Sequence, residues 1–256
     1  MKIVLVVDQF DQSNNGTTIT ARRFAEQLRR RGHTVKVLAA GAPEKDKITV
    51  PKHKIPLFQG LIESQGMYFA EPVEEAYKKA FQGADIIHFY MPFRFCRRGE
   101  EIARQMQIPT VAAFHVQPEN ITSTLYLNRC KWINEWLYRW FYRHFYNRFD
   151  YIHCPSQFIA DQLDAHNYGA ECRVISNGVD DAFVPPETPV KRTDGTFRIL
   201  MIGRLSREKR QDLIIRAAGL SRYREKIQLI FAGKGPRLSH YRHMGKKLPR
   251  LPVFGF

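Results

Sequence analysis

A length of 256 residues allows one large domain or two ordinary ones, and 44% apolar residues is the composition of a chain that folds around a core. Cys96, Cys130, Cys154 and Cys172 form no CxxC and no metal-ligand spacing, so they read as reduced, packed thiols of a cytosolic protein with no metal site. The formal charge of +15 is uneven: from Lys191 onward 17 Lys and Arg stand against 4 Asp and Glu, while the first 190 residues carry 23 against 21, and no zinc-finger, RNP or basic-zipper pattern points that charge at nucleic acid.

In chain order, Lys2 to Val7 reads as a buried strand, broken by Asp8 too early for a signal peptide. A loop to Gly16 leads into a helix from about Thr18 to Arg31 with Ala21, Phe24, Ala25 and Leu28 on its apolar face. Arg29, Arg30 and Arg31 suit the negative helix end, and Gly32 suits its cap. Val35 to Ala39 follows as a second strand, completing a βαβ unit. Between Pro43 and Pro72, Pro51 and Pro56 exclude long helices, leaving an excursion with a short strand or helix. Glu74 to Phe81 predicts a helix, Asp85 to Phe89 a strand, Gly99 to Met106 a helix and Thr110 to Phe114 a strand. After a long helix come a strand at Tyr151 to Cys154, a helix from Ser156 (its N-cap) to His166, and a strand at Cys172 to Ile175. Asn177-Gly178 marks a turn. No stretch approaches the ~18 apolar residues of a membrane span.

That long helix, Arg129 to Phe149, carries nine aromatics in 21 residues. Lys131, Glu135, Arg139, Arg143 and Asn147 make one polar stripe, with Trp132, Trp136 and Trp140 beside it. Two readings stand: a helix packed on the sheet with Arg stems over its aromatics, or a helix at an anionic membrane surface.

Residues 184–196, rich in Pro, Thr and charge, read as a linker between domains 1–183 and 197–256. The second domain opens with Phe197 to Ala217. Ile199-Leu200-Met201-Ile202 predicts a strand buried on both faces, ended by Gly203. A basic loop with Arg204, Arg207, Lys209 and Arg210 follows, then a helix with Leu213, Ile214 and Ala217 on one face. A strand feeding a basic loop and a helix N-terminus suits phosphate, because unpaired N–H groups and fixed cations converge there. The alternative is a solvated basic loop. There is no P-loop and no GxGxxG. Gln228 to Ala232, Gly233-Lys234-Gly235-Pro236, a helix and Val253 to Phe256 continue the α/β series. In doubly wound sheets ligands bind beyond the strand carboxyl ends, which here offer Gly16, His88 and His115 from the first sheet and Gly203, Arg204 and Gly233 from the second.

Six strings in order (IIHFYMPF, 86–93; PTVAAFHVQPENI, 109–121; CPSQFIADQL, 154–163; VISNGVD, 174–180; IGRLSREK, 202–209; LIFAGKGP, 229–236) resemble family 4 glycosyltransferases of the GT-B fold, closest in look to bacterial enzymes that glucosylate diacylglycerol. The resemblance implies two Rossmann-like α/β domains, the second incomplete, and retaining transfer without a metal from a nucleotide sugar, UDP-glucose ahead of a GDP-sugar. It implies that Arg204 and Lys209 hold the donor diphosphate, with Gly16, Gly203, Gly233 and Gly235 at the donor. It places His115 beside the transferred sugar; the alternative for His115 is a surface histidine with a backbone partner. Asn15, Gly16, His88, Glu119 and Asn120 fall on the acceptor side. Trp132, Trp136, Arg139, Trp140 and Arg143 would touch an anionic membrane carrying a lipid acceptor, for a protein on the inner face of that membrane. A soluble sugar or polysaccharide acceptor and a non-catalytic sugar-nucleotide-binding fragment are the alternatives. Two departures stand out. Asn15-Gly16 replaces the usual paired glycines, and the two-glutamate motif that holds ribose and sugar would lie beyond Phe256. The chain is therefore expected to be a fragment that does not turn over, and its second domain is expected to expose apolar edges such as Ile227 to Ala232 or to lean on the first domain.

Overall fold

A computed structural model describes the chain except for residues 12–15, 57–58, 65, 126, 128–129, 180–182, 186, 189–193 and 256, and the side chains of 61, 62, 64 and 124. Asn15, the start of the long helix at Arg129 and much of the linker lie outside the described residues. The chain divides into two compact units, one of residues 1–122 and 127–179, the other of 123–126 and 180–256.

The first unit is built on seven parallel strands. β1 (Lys2–Gln9), α1 (Gly16–Arg30), β2 (Thr34–Ala40) and β3 (Lys47–Val50) run outward to one side. A small hairpin of β4 (Lys52–His53) and β5 (Phe69–Ala70), with α2 (Gln59–Ser64) between them, fills the Pro-rich excursion, as its prolines require. The chain then returns through α3 (Glu74–Phe81) to β6 (Ile86–Phe89) on the other side of β1. From there α4 (Arg94–Gln105), β7 (Thr110–Ala113), α5 (Pro118–Thr124), α6 (Lys131–His144), β8 (Tyr151–Cys154), α7 (Gln157–Ala165) and β9 (Glu171–Val174) run outward again. The strand order is β3-β2-β1-β6-β7-β8-β9, so the winding reverses between β1 and β6.

β1 is buried from Ile3 to Gln9, which its apolar run demands of a strand covered on both faces. Ala21 and Ala25 of α1 are fully buried, with Phe24 and Leu28 half-buried beside them. Gly32, at φ 83°, closes α1, and the His33 N–H reaches back to the Leu28 carbonyl at 3.1 Å.

Three expectations about helix bounds are corrected. The helix after β6 starts at Arg94, because Phe95 and Cys96 are core residues that continue its buried face. The long aromatic helix is preceded by a separate α5, with Pro118 at its first position. It stops at His144: Phe145 leaves the helical region (φ −148°, ψ −65°), and a 3-10 turn at Tyr146–Arg148 turns Tyr146 into the core. Arg148 of that turn reaches the buried Glu100 of α4 at 2.5 Å. Ser156 is the N-cap of α7, as expected, in extended backbone, although its side chain makes no cap hydrogen bond.

The second unit has a three-stranded parallel sheet, β10 (Phe197–Ile202), β11 (Ile227–Ala232) and β12 (Val253–Gly255), with α8 (Gln211–Leu220) and α9 (Leu238–Gly245). Its buried apolar core is Leu205, Ile215, Ala218, Leu229, Phe231 and Tyr241. β10 is not buried on both faces. Phe197, Ile199, Leu200 and Ile202 are all exposed, Ile202 at 69%. β10 pairs with β11 alone among the described residues, so it is an edge strand, as β12 is on the other side. β11 lies in the middle and buries Leu229 and Phe231, so the exposed apolar edge is β10 and not Ile227 to Ala232. On α8 the inner face is Gln211, Ile215 and Ala218, while Leu213 and Ala217 point outward. The sheet covers a narrower stripe of α8 than the apolar pattern suggests.

Candidate active site

In the second unit, two glycine-bearing loops follow β10 and β11 and are stitched together by backbone. The Gly203 N–H donates to the Ala232 carbonyl (2.9 Å), Leu205 to Lys234 (2.9 Å) and Arg237 to Leu205 (3.0 Å). The approach is so close that a Cβ on Gly233 would lie 2.2 Å from the Gly203 oxygen, and one on Gly235 would lie 2.3 Å from the Leu205 oxygen. Gly233 also sits at φ 149°, which few L side chains adopt. The glycines hold the two loops in contact, and this fixes the basic segment. Beyond Leu205 the chain makes a 3-10 turn at Arg207–Lys209, and Arg210 takes a left-handed conformation (φ 55°) as the N-cap of α8.

The buried Gln211 amide donates to the Arg204 carbonyl (2.9 Å), and the Tyr241 hydroxyl donates to the Ser206 carbonyl (3.0 Å). Arg204 is a quarter exposed, 3.7 Å from Glu208, and Lys209 is exposed. Arg210 is held by Asp212 at 3.2 Å. Ser206 Oγ and Gln211 Oε1 are buried with no hydrogen-bond partner among the described residues. Arg204 and Lys209 thus stand on one loop pinned at the mouth of a helix, where N–H groups and cations favour an anion.

In the first unit the winding reverses between β1 and β6, and a candidate site lies next to that point, at the carboxyl halves of β6, β7 and β8. His88 is nearly buried in β6, and His115 follows β7. They meet through a third histidine absent from the sequence-based set, His153 of β8. The His88 and His153 rings are 5.8 Å apart, and His115 meets His153 edge-on at 5.4 Å. Tyr90 lies 4.6 Å from His88 and stacks on His115 at 5.3 Å. Phe24 of α1 covers the group, 5.0 Å from His153 and 6.1 Å from His88.

Burial, with neighbouring imidazoles adding to it, holds His88 well below the ordinary histidine value. Burial also holds His115 down at about 3, with His153 contributing. For His153 burial lowers the value against an opposing hydrogen bond to the Ile175 carbonyl. All three rings are neutral at pH 7. A lone histidine in a strand carries no sequence signal of its own, so His153 was invisible until β8 was placed beside β7.

Gly16 heads α1 with open space at its Cβ position. Glu119 accepts a hydrogen bond from the Tyr138 hydroxyl (3.2 Å), which ties α5 to α6. Asn120 is exposed on α5. On α6, Tyr138 and Phe141 are core residues, and Trp140 is half-buried, stacked on His144 at 4.8 Å with Arg97 over its ring. Trp132 and Trp136 are 71% and 52% exposed, with Lys131, Arg139 and Arg143 exposed around them. One face of the helix packs and the other is bare. No helix among the described residues is long and apolar enough to cross a membrane, and none of their His, Cys, Asp and Glu form a group that could hold a metal ion.

Residues 14–183 match the model of Glycosyltransferase Family 4, and residues 187–249 match that of Glycosyl transferases group 1. Over 97% of its length the chain is 26% identical to the alpha-monoglucosyldiacylglycerol synthase of Streptococcus pneumoniae, covering 59% of that protein. Over 95% of its length it is 27% identical to the GDP-mannose-dependent alpha-mannosyltransferase of Corynebacterium glutamicum, covering 60%. The chain thus spans about three fifths of the length of the curated relatives it matches. Among solved structures, WaaG, a glycosyltransferase involved in lipopolysaccharide biosynthesis, aligns with 99% of this chain and 69% of its own (TM-score 0.62, 16% identity). Alr3699/HepE of Anabaena, solved with UDP and glucose, aligns with 100% and 69% (TM-score 0.57, 15% identity). Likeness at that identity shows the fold, an α/β architecture of GT-B type. Together with the match over residues 14–183, it makes the chain a member of Glycosyltransferase Family 4.

Proposed function

We propose that the protein is a retaining glycosyltransferase that moves glucose from UDP-glucose to a membrane lipid such as diacylglycerol, with residues 1–183 on the acceptor side and 197–256 on the donor side, joined by the linker 184–196. The observation that carries this reading is the pinned loop Gly203 to Arg210. A departing nucleoside diphosphate gathers negative charge, and Arg204, Lys209 and the helix N–H groups stabilise that charge without reorganising. In this reading Gly203, Gly233 and Gly235 act by holding the loop where the diphosphate arrives. Gly16, Asn15, His88 and Asn120 serve the acceptor side. Glu119 acts there through its place between α5 and α6. His115, neutral at pH 7, serves the sugar as a hydrogen-bonding group and not as a cation or an acid. The lipid acceptor fits the bare Trp132, Trp136, Arg139 and Arg143 face of α6, a Trp-Arg surface suited to the inner leaflet.

The test is a titration of UDP against wild type, Arg204→Ala and Lys209→Ala. Each lost charge-assisted contact should cost roughly 1.5–3 kcal/mol, a weakening of about ten- to a hundredfold. Equal affinity in all three proteins overturns the donor site. The mannosyltransferase relative favours one second reading, a GDP-sugar donor, so GDP is titrated in parallel; tighter GDP than UDP binding selects it.

A further inference from the structure

The basic loop of the second unit is held from inside by two side chains that carry no charge. Gln211, the first residue of α8, is fully buried, and Tyr241 of α9 is 2% exposed. Each ends on a backbone carbonyl of the loop, Gln211 Nε2 on Arg204 at 2.9 Å and Tyr241 Oη on Ser206 at 3.0 Å. A carbonyl only accepts, so the side chain is the donor in both contacts. The same two carbonyls accept from the loop's own backbone as well. The Ser206 N–H reaches the Arg204 oxygen at 2.9 Å, and the Lys209 N–H reaches the Ser206 oxygen at 3.3 Å. Each oxygen is thus gripped twice, once by the loop and once by a helix behind it. The grips divide by cation. Gln211 fixes the residue that bears the Arg204 guanidinium, and Tyr241 fixes the carbonyl on which the Lys209 turn closes. Both helices belong to one small core, in which Tyr241 lies with Ile215 and Ala218 of α8.

We infer that Gln211 and Tyr241 are positioning residues for the bound anion, Gln211 acting through Arg204 and Tyr241 through Lys209. The inference rests on the donor reading of this loop and deepens it. A long cationic side chain loses rotamer freedom when it grips a phosphate, and a backbone already held in place confines that loss to the side chain. Fixed cations also stabilise charge without reorganising, whereas a loop free to shift must first settle. Without the Tyr241 hydroxyl the Ser206 carbonyl keeps its bond from Lys209, so the turn stays formed but is less firmly placed. Without the Gln211 amide the Arg204 carbonyl keeps its bond from Ser206 in the same way. Both residues therefore act on where the cations stand more than on whether the loop forms.

The experiment is a set of double-mutant cycles on the full 256-residue chain, with UDP affinity and melting temperature measured for every protein. Tyr241→Phe removes one hydroxyl, and Gln211→Met removes the amide donor at similar volume. Alone, each should weaken UDP binding about three- to tenfold, the fold-change of one ordinary hydrogen bond. In combination the effects should cross. Tyr241→Phe should lose its effect once Lys209→Ala is present and keep it beside Arg204→Ala, and Gln211→Met should do the reverse. A role in folding alone would lower UDP affinity equally in both backgrounds, in step with the melting temperature. That result, or wild-type UDP affinity in both single variants, overturns the inference and leaves the donor site standing. UDP affinity indifferent to Arg204→Ala and Lys209→Ala removes the donor site and this inference together. Should Gln211→Met fail to fold, the Tyr241→Phe cycles decide, because one oxygen is the whole change.

Discussion

Asp8 ends the apolar run of β1, and its fate shows what burial does to a single carboxylate. Oδ1 accepts from the Ala70 N–H at 3.0 Å, and Oδ2 is buried with no partner among the described residues. Burial pushes Asp8 from 3.8 up to about 7, against the pull of that N–H and of His53. Between those values folded Asp8 holds a proton that the unfolded chain has lost, so stability falls as pH rises through 4 to 7. The three buried histidines act the other way. Unfolded they gain protons below about 6.5, and folded they stay neutral, His115 down to about 3, so stability falls as pH drops below 6.5. His88 and His115, held furthest down, outweigh Asp8 below pH 6.5, and above it Asp8 acts the other way. The expected stability optimum lies near pH 6.5. Asp8→Asn keeps an acceptor for Ala70 and removes the charge, so it should raise stability at pH 8, by up to about 4 kcal/mol, and flatten the alkaline fall. Urea unfolding at pH 5, 6.5 and 8 checks this; an Asp8→Asn protein that is less stable than wild type at pH 8 contradicts it. At this scale Arg204, Lys209, His88 and His115 were legible, because charge and strand-end position are written in order along the chain. His153 and Tyr90 were not, because only sheet order puts them beside His115.

Whole elements were legible where periodicity decided them and illegible where a neighbour did. α3 and β8 fall on their expected bounds, since their apolar spacing alone sets the buried face. The aromatic helix was read through Phe145 because its aromatic content never lapses. The break there comes from tertiary packing, with Tyr146 drawn under the sheet so that its hydroxyl reaches the Ala113 carbonyl at 3.0 Å. β10 was read as buried from its composition, but strand burial depends on neighbours. Two elements carry predictions. Gly235→Ala would press a methyl against the Leu205 carbonyl, and Gly233→Ala would add an unfavourable φ to a similar clash. Each should cost about 1–3 kcal/mol, lowering the melting temperature of the second unit and weakening UDP binding with it. Wild-type melting and UDP binding in both variants would mean that the loops need not touch. For α6, Arg139→Glu with Arg143→Glu should weaken binding to anionic vesicles by about 2 kcal/mol, at ~1 kcal/mol for each basic residue lost from the surface. The difference should shrink as salt is raised. A wild-type chain that ignores anionic vesicles removes the membrane from the proposed function.

The two units differ in how much apolar surface they hide, and their behaviour should differ accordingly. In the first, β1, β2, β6 and β7 are lined by buried Val, Ile, Leu, Phe and Ala on a sheet with helices packed against it, and the aromatic cluster of Phe89, Phe145, Tyr146 and Phe149 ties β6 and the turn after α6 to the same core. In the second, six buried apolar residues among those described hold three strands and two helices, while β10 leaves Leu200 and Ile202 more than half exposed. Buried apolar area is the main source of folding free energy, at ~25 cal/mol per Å², so the smaller core gives the weaker unit. The second unit also carries most of the net positive charge, and that self-repulsion favours its opening at low salt. Hydrogen exchange should therefore show β10, β11 and β12 opening well before β1, β6 and β7, by subglobal opening and not only by global unfolding. Raising the salt concentration should slow exchange in the second unit more than in the first. Addition of UDP should protect the second unit, by about 2.7 kcal/mol at a hundredfold excess over Kd. Uniform protection across both sheets, unchanged by salt and by UDP, would show the two units to be one cooperative body in which the donor loop gains nothing from its ligand.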